Sequence, residues 1–145
     1  MTERDPDPDP DPDPDPDPDP EVEAARRARG LGVYREVYGD DMIAFEPGQI
    51  EFFDQMLANL FGDVWGRPAL PIPSRRLLVI GVLAVQARFE TLEIQLARAL
   101  DSGELTVEQV REVVIHLIPY VGYGSSSDLY RVSETAIAKH LDGAP

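Results

Sequence analysis

Glu112, His116 and Tyr120 sit four residues apart in the run EVVIHLIPYVGYG, residues 112 to 124. On a helix that spacing stacks three titratable side chains along one line. An imidazole that changes charge near neutral pH, a carboxylate one turn before it and a phenol one turn after it can hold, move and donate a proton. Ile115, Leu117 and Ile118 flank His116 with apolar surface, so the ring needs a partner, and Glu112 is placed to be it. Pro119 removes one intrahelical bond and displaces the carbonyl of Ile115, which leaves an acceptor for a polar group or water. The same spacing also suits a solvated Glu–His pair with Tyr120 packed beneath it.

A second set of chemistry-bearing residues lies upstream. Arg75 and Arg76 precede the apolar stretch LLVIGVLAV, residues 77 to 85, and so fall at the predicted start of a helix. The positive end of a helix dipole disfavours cations there by a few tenths of a kcal/mol to about 1 kcal/mol. A salt bridge to Glu90, Glu93 or Asp63 answers that cost, and so does a bound carboxylate held by an arginine together with the first-turn N–H groups. Arg67, two residues after the single tryptophan Trp65, is placed to add a second fork for the same anion. Trp65 itself suits core packing.

The elements that must carry these residues are all helical, since hardly any run shows the period of two that marks a half-buried strand. The pattern predicts helices over Glu21 to about Tyr38, from Pro47 to near Gly62 with the stripe Ile50, Phe53, Leu57 and Leu60, and from Arg75 through Ala87. The third of these is apolar on nearly every side, with Gly81 and Ala84 allowing close approach, so it is either central or at a subunit interface. Residues 90 to 101 form a fourth helix. Thr106 with Gln109 makes a capping box that starts a fifth, which Gly122 and Gly124 end. The SSSD cluster at 125 to 128 begins a sixth, closed near Leu141 with Lys139 and His140 against the negative end of its dipole.

Ahead of this single helical domain, residues 21 to 145, runs a tract of eight Asp-Pro repeats at residues 5 to 20. Each aspartate precedes a proline and is pushed toward extended backbone, so residues 1 to 20 are expected to form a disordered tail, reaching roughly 50 Å across the tract if it holds polyproline II. The tract also carries eight of the charges in the net −14, leaving −6 for the rest of the chain. A surface of that sign, with only RRAR at 26 to 29 as a basic cluster, argues against a nucleic-acid partner. The apolar runs are too short to span a bilayer, and a cytoplasmic protein is expected. With 145 residues and no cysteine, disulfides and thiol chemistry are excluded, and two distant histidines make no recognisable metal spacing, so neither a metal nor a cofactor is expected.

Three ordered stretches resemble the carboxymuconolactone decarboxylase family. WGRPAL at 65 to 70 is similar to the family's W-S-R-P-G-L, SRRLLVI at 74 to 80 to T-R-S-L-L-T-I, and EVVIHLIPYVGY at 112 to 123 to E-V-L-L-H-T-A-I-Y-C-G-V. The resemblance implies an all-helical subunit of about six helices, a pocket at subunit contacts and a homo-oligomer, commonly a trimer or hexamer. It matches at Trp65, Arg67, Arg75, Glu112, His116, Tyr120 and Gly122. It departs at TLEIQ, residues 91 to 95, where the family shows E-L-x-x-H: Thr91 stands for the glutamate and Gln95 for the histidine. Gln95 can hydrogen-bond a substrate but cannot shuttle a proton near neutral pH. The family's G-V-P-A-A is also replaced, by GYGSS at 122 to 126. The related branch that reduces hydroperoxides with a Cys-x-x-Cys pair is excluded for a chain without cysteine.

The expected function is therefore a cofactor-independent decarboxylase or isomerase for a small carboxylated organic acid or lactone. His116, Glu112 and Tyr120 would be catalytic, and Arg75, Arg67, Gln95 and Trp65 would line the substrate. The rival expectation is a non-catalytic acid-binding or assembly protein that keeps the helical core.

Overall fold

The computed structural model describes residues 19–143, and every regular element among them is helical. Six helices follow one another: α1 Pro20–Tyr38; α2, which begins at Glu51–Gln55 and continues over Met56–Trp65; α3 Ile72–Val85; α4 Phe89–Asp101; α5 Val107–Val121; and α6 Tyr123–Asp142. No helix among them is long and apolar enough to cross a membrane. Residues 1–18, which hold most of the Asp-Pro tract, lie outside the described residues.

The last Asp-Pro repeat is not tail. Asp19 is the N-cap of α1, its carboxylate accepting from the Glu21 N–H at 2.9 Å, and Pro20 takes the first helical position. A proline costs nothing there because that N–H would have no helical partner anyway. The repeat that forbids a helix interior is thus also a good helix start.

From Met56 to Trp65 the backbone of α2 winds in wider turns, bonded five residues back, as where Gly66 N–H donates to Phe61 O at 2.8 Å. A turn wider than 3.6 residues keeps side chains four apart in one column. Phe53, Leu57, Phe61 and Trp65 all point inward, whereas Leu60, assigned to the core by ordinary helical spacing, is 43% exposed. The helix also starts at Glu51 rather than Pro47, because Gly48 at φ +77° turns the chain away first, and it runs on to Trp65 instead of closing near Gly62.

Phe53, Leu57, Phe61 and Trp65 pack with Tyr34 and Val37 of α1, with Tyr34 meeting Phe53 and Phe61 edge-on at centroid distances of 5.6 and 5.1 Å. Gly30 permits the approach: a Cβ there would lie 1.8 Å from the Leu57 carbonyl oxygen. The basic cluster closes the same seam. Arg26 and Arg29 reach Asp63 at the surface, and Arg27 reaches Asp54, so the cluster is paired within the chain.

A second apolar cluster joins α3 to α6 through Ile80, Ala84, Leu92, Leu96, Leu100, Val110, Val114, Leu129, Val132, Ala136 and Ile137. Here α3 is not central. It buries one column, Arg76, Ile80 and Ala84, and leaves Leu78, Val82 and Val85 outside. The Thr106 capping box forms as the sequence suggests, with Thr106 Oγ1 accepting from Gln109 N–H at 3.2 Å and Gln109 Oε1 from Thr106 N–H at 2.9 Å. Gly122, at φ +83°, ends α5, and α6 begins at once with Tyr123.

The glycines of α1 provide a test. Gly30→Ala is expected to destabilise the chain by at least about 3 kcal/mol, since backbone cannot yield as a side chain does. Gly32→Ala, whose Cβ meets nothing within 4 Å, is expected to stabilise it by about 0.5–1 kcal/mol. Urea denaturation of both variants checks the pair.

Candidate functional site

The polar line of α5 faces outward beside α3. Glu112 and His116 share an open groove of about 470 Å³ with Leu77, Leu105, Gln109, Val113 and Leu117. Its surface is mainly apolar, which leaves the carboxylate and the imidazole as its titratable groups. Tyr120 continues the line, its ring 5.5 Å from the His116 ring and tilted by 40°. The hydrogen-bonded side chains of this α5 surface are Gln109 and Arg111, and no hydrogen bond joins Glu112 to His116. The imidazole therefore stands against the phenol ring, and the carboxylate lies one turn away on the same wall.

The arginines go elsewhere. The helix α3 begins at Ile72, so Arg75 falls after its first turn, and its backbone N–H is already bonded to Pro71 O at 3.2 Å. Its guanidinium folds back over the preceding loop, Nε donating to Leu70 O and Nη2 to Arg67 O, each at 2.9 Å. Arg75 thus fastens the loop 66–71 and does not line the His116 groove within one chain. Arg67 is exposed beside it. Trp65 is buried against Phe61, at a centroid distance of 6.2 Å, as a core residue.

Arg76 turns inward, with 1% of its side chain exposed. Its Nε and Nη2 fork onto Glu104 at 2.6 and 3.1 Å, Nη1 donates to Gln95 Oε1 at 2.7 Å, and Nη2 also donates to Val37 O at 2.8 Å. Gln95 passes the chain on, Nε2 donating to the Tyr38 hydroxyl at 2.9 Å. Burial raises the Tyr38 phenol above its ordinary pKa, and the nearby Arg76 charge partly opposes that. Gln95 is accordingly a buried link rather than a groove residue. The partner of Arg76 is none of Glu90, Glu93 and Asp63. The sequence does hold a signal for this: Arg76 is in step with Ile80 and Ala84, four residues apart, so a cation on an apolar column demanded an internal carboxylate.

Among the described residues no group of three or more His, Cys, Asp or Glu is placed to hold a metal ion. Fold and groove together define a helical bundle with an exposed imidazole and a carboxylate on one wall of an open groove. The chain belongs to the carboxymuconolactone decarboxylase family, whose model matches residues 51–135. It is 30% identical over 125 residues to the 4-carboxymuconolactone decarboxylase of Acinetobacter baylyi, covering 83% of this chain and 92% of that protein. It is also 30% identical over 122 residues to nitrosuccinic acid decarboxylase npaB of Metarhizium robertsii, covering 78% of this chain and 82% of the other. No solved structure matches the chain.

Replacing Gln95 with leucine would leave Arg76 Nη1 and the Tyr38 hydroxyl without their partner. Gln95→Leu is expected to lower stability by about 2–4 kcal/mol, read from chemical denaturation, because each buried polar group then bears its desolvation cost.

Proposed function

We propose that the chain is a cofactor-independent decarboxylase or isomerase for a small carboxylated organic acid or lactone, with His116 as the proton-transfer group. The observation that carries this reading is the His116–Glu112 wall of a ligand-sized groove, in a chain similar to two decarboxylases. In a decarboxylation the bond from the carboxyl group to its carbon breaks and CO2 departs. The electron pair moves into an adjoining acceptor, a conjugated carbonyl or a nitro group, and the carbon then takes a proton. His116, protonated, delivers that proton; Glu112 stabilises the imidazolium; the Tyr120 hydroxyl donates to the oxyanion that forms in between. In an isomerisation the same imidazole first removes a proton and then returns it at another carbon.

Arg67, on the loop that Arg75 fastens, serves this chemistry from a second copy of the chain, since in one copy both arginines stand apart from the groove. A homo-oligomer, the trimer or hexamer implied by the family, is part of the proposal. Leu78, Val82 and Val85 support it: they are 64%, 53% and 61% exposed on a helix face that carries no charge from residue 77 to 85. With Leu77 they make an exposed apolar face without a charge, a feature for which an interface is the usual explanation. Two strongly acidic subunits would meet most easily on such an uncharged face.

A non-catalytic acid-binding protein is the second reading, and it is favoured by Gln95, which holds Arg76 and Tyr38 where the family has a histidine. Turnover separates the two. His116→Ala is expected to reduce kcat/KM for 4-carboxymuconolactone at least about 100-fold, followed by loss of lactone absorbance; equal turnover by the variant removes His116 from the mechanism, and ligand binding without turnover by the unmodified chain establishes the second reading. In parallel, Leu78→Glu with Val82→Glu is expected to convert an oligomer into a monomer by light scattering while helical circular dichroism is retained. An unmodified chain that is monomeric at high concentration would refute the assembly.

A further inference from the structure

Arg76 and Glu104 lie outside the groove, yet each is the immediate neighbour of one of its walls. Leu77 follows Arg76 on α3, and Leu105 follows Glu104 just before α5, and both leucines line the groove with His116. The same two leucines, with Arg76, Glu104, Pro73 and Ile80, also enclose a cavity of about 20 Å³. The ion pair is therefore separated from the groove only by the leucines that form its end.

The connection from Glu104 to α5 is short and hydrogen-bonded. Gly103 takes φ +72°, Leu105 N–H donates to Ala99 O at 3.0 Å, and Thr106 caps α5 through its reciprocal pair with Gln109. Two residues, Leu105 and Thr106, separate Glu104 from the start of α5, so a shift of the Glu104 backbone is passed to the first turn of that helix. On the other wall, Arg76 is held by α1 through Val37 O and by α4 through Gln95. Further along, α3 and α5 pack together again through Ile80, Val114 and Leu117 of one apolar cluster. The spacing of the two walls is thus set at one end by the fork and at the other by that packing.

We infer that Arg76 and Glu104 are positioning residues for the His116 groove: the buried fork sets the separation of α3 from the start of α5, and with it the groove's width and the access of ligands to the imidazole. The inference rests on the groove being the site, but its test does not require turnover. Glu104→Gln keeps the size of the side chain while removing the charge, so the guanidinium loses its paired carboxylate and the fork loosens. Glu104→Asp keeps the charge on a side chain one methylene shorter.

The experiment uses the full chain carrying His140→Gln, which leaves His116 as the single histidine. Two readouts are taken: the rate at which diethylpyrocarbonate modifies His116, and the methyl–methyl cross-peaks among Leu77, Leu105 and Leu117 by NMR. In Glu104→Gln the modification rate is expected to change at least about threefold and the Leu77–Leu105 cross-peak to weaken, with Glu104→Asp intermediate. If Glu104→Gln does not fold, Glu104→Asp alone decides by the same readouts. A folded variant with the modification rate and cross-peaks of its parent would overturn the inference and leave the fork as a core ion pair only. With 4-carboxymuconolactone as probe, Glu104→Gln is expected to raise KM more than it lowers kcat. Absence of turnover by the unmodified chain counts against the proposed function and not against the positioning role.

Discussion

A guanidinium removed from water must find an acceptor for its charge and its N–H groups, and the fold of this chain is arranged around one that does. Arg76 draws together the end of α1, the middle of α4 and the turn before α5, segments that lie far apart along the chain. It does so at the seam between two apolar clusters, touching Val37 of the first and Gln95, which lies between Leu92 and Leu96 of the second. Buried ion pairs add little net stability compared with apolar packing, because desolvation offsets most of the attraction. Their directional bonds, however, are satisfied in few arrangements. Apolar surfaces tolerate sliding, and the fork onto Glu104 does not.

The first cluster depends on a second constraint, the close contact of α1 and α2. Gly30 admits the Leu57 carbonyl, and the wide turns of α2 hold Phe53, Leu57, Phe61 and Trp65 in one column against Tyr34. The carboxylates of Asp54 and Asp63 then meet Arg26, Arg27 and Arg29 on the flanks of that contact, which holds both carboxyls below their ordinary pKa. The one basic run is thereby paired within the chain.

The candidate site is built on what this packing leaves uncovered. His116 and Glu112 lie beside the buried column of α5, so they flank the core without entering it, and the wall opposite them is Leu77 of α3. The family relationship and the groove bear on function together, since the first indicates a kind of chemistry and the second shows which polar side chains are left without partners inside the fold. Glu112, His116 and Tyr120 are free in this sense. Arg75 and Gln95 are engaged, one by loop carbonyls and the other by Arg76 and Tyr38.

What the sequence alone determined about this protein is what depends on near neighbours. Helical periodicity, the Thr106 capping box, the end of α5 at Gly122, the line from Glu112 to Tyr120 and the exclusion of thiol chemistry all follow from residues within a few turns of one another or from composition. The tertiary structure decided the rest. Leu60 faces out because α2 is wound wide, Arg75 folds back onto its own loop, and Arg76 finds a carboxylate 28 positions away. The groove itself exists only where α3 and α5 meet. Each of these outcomes turns on which distant segments come into contact, and a long-range contact is selected by the packing of the whole chain rather than by the residues beside it.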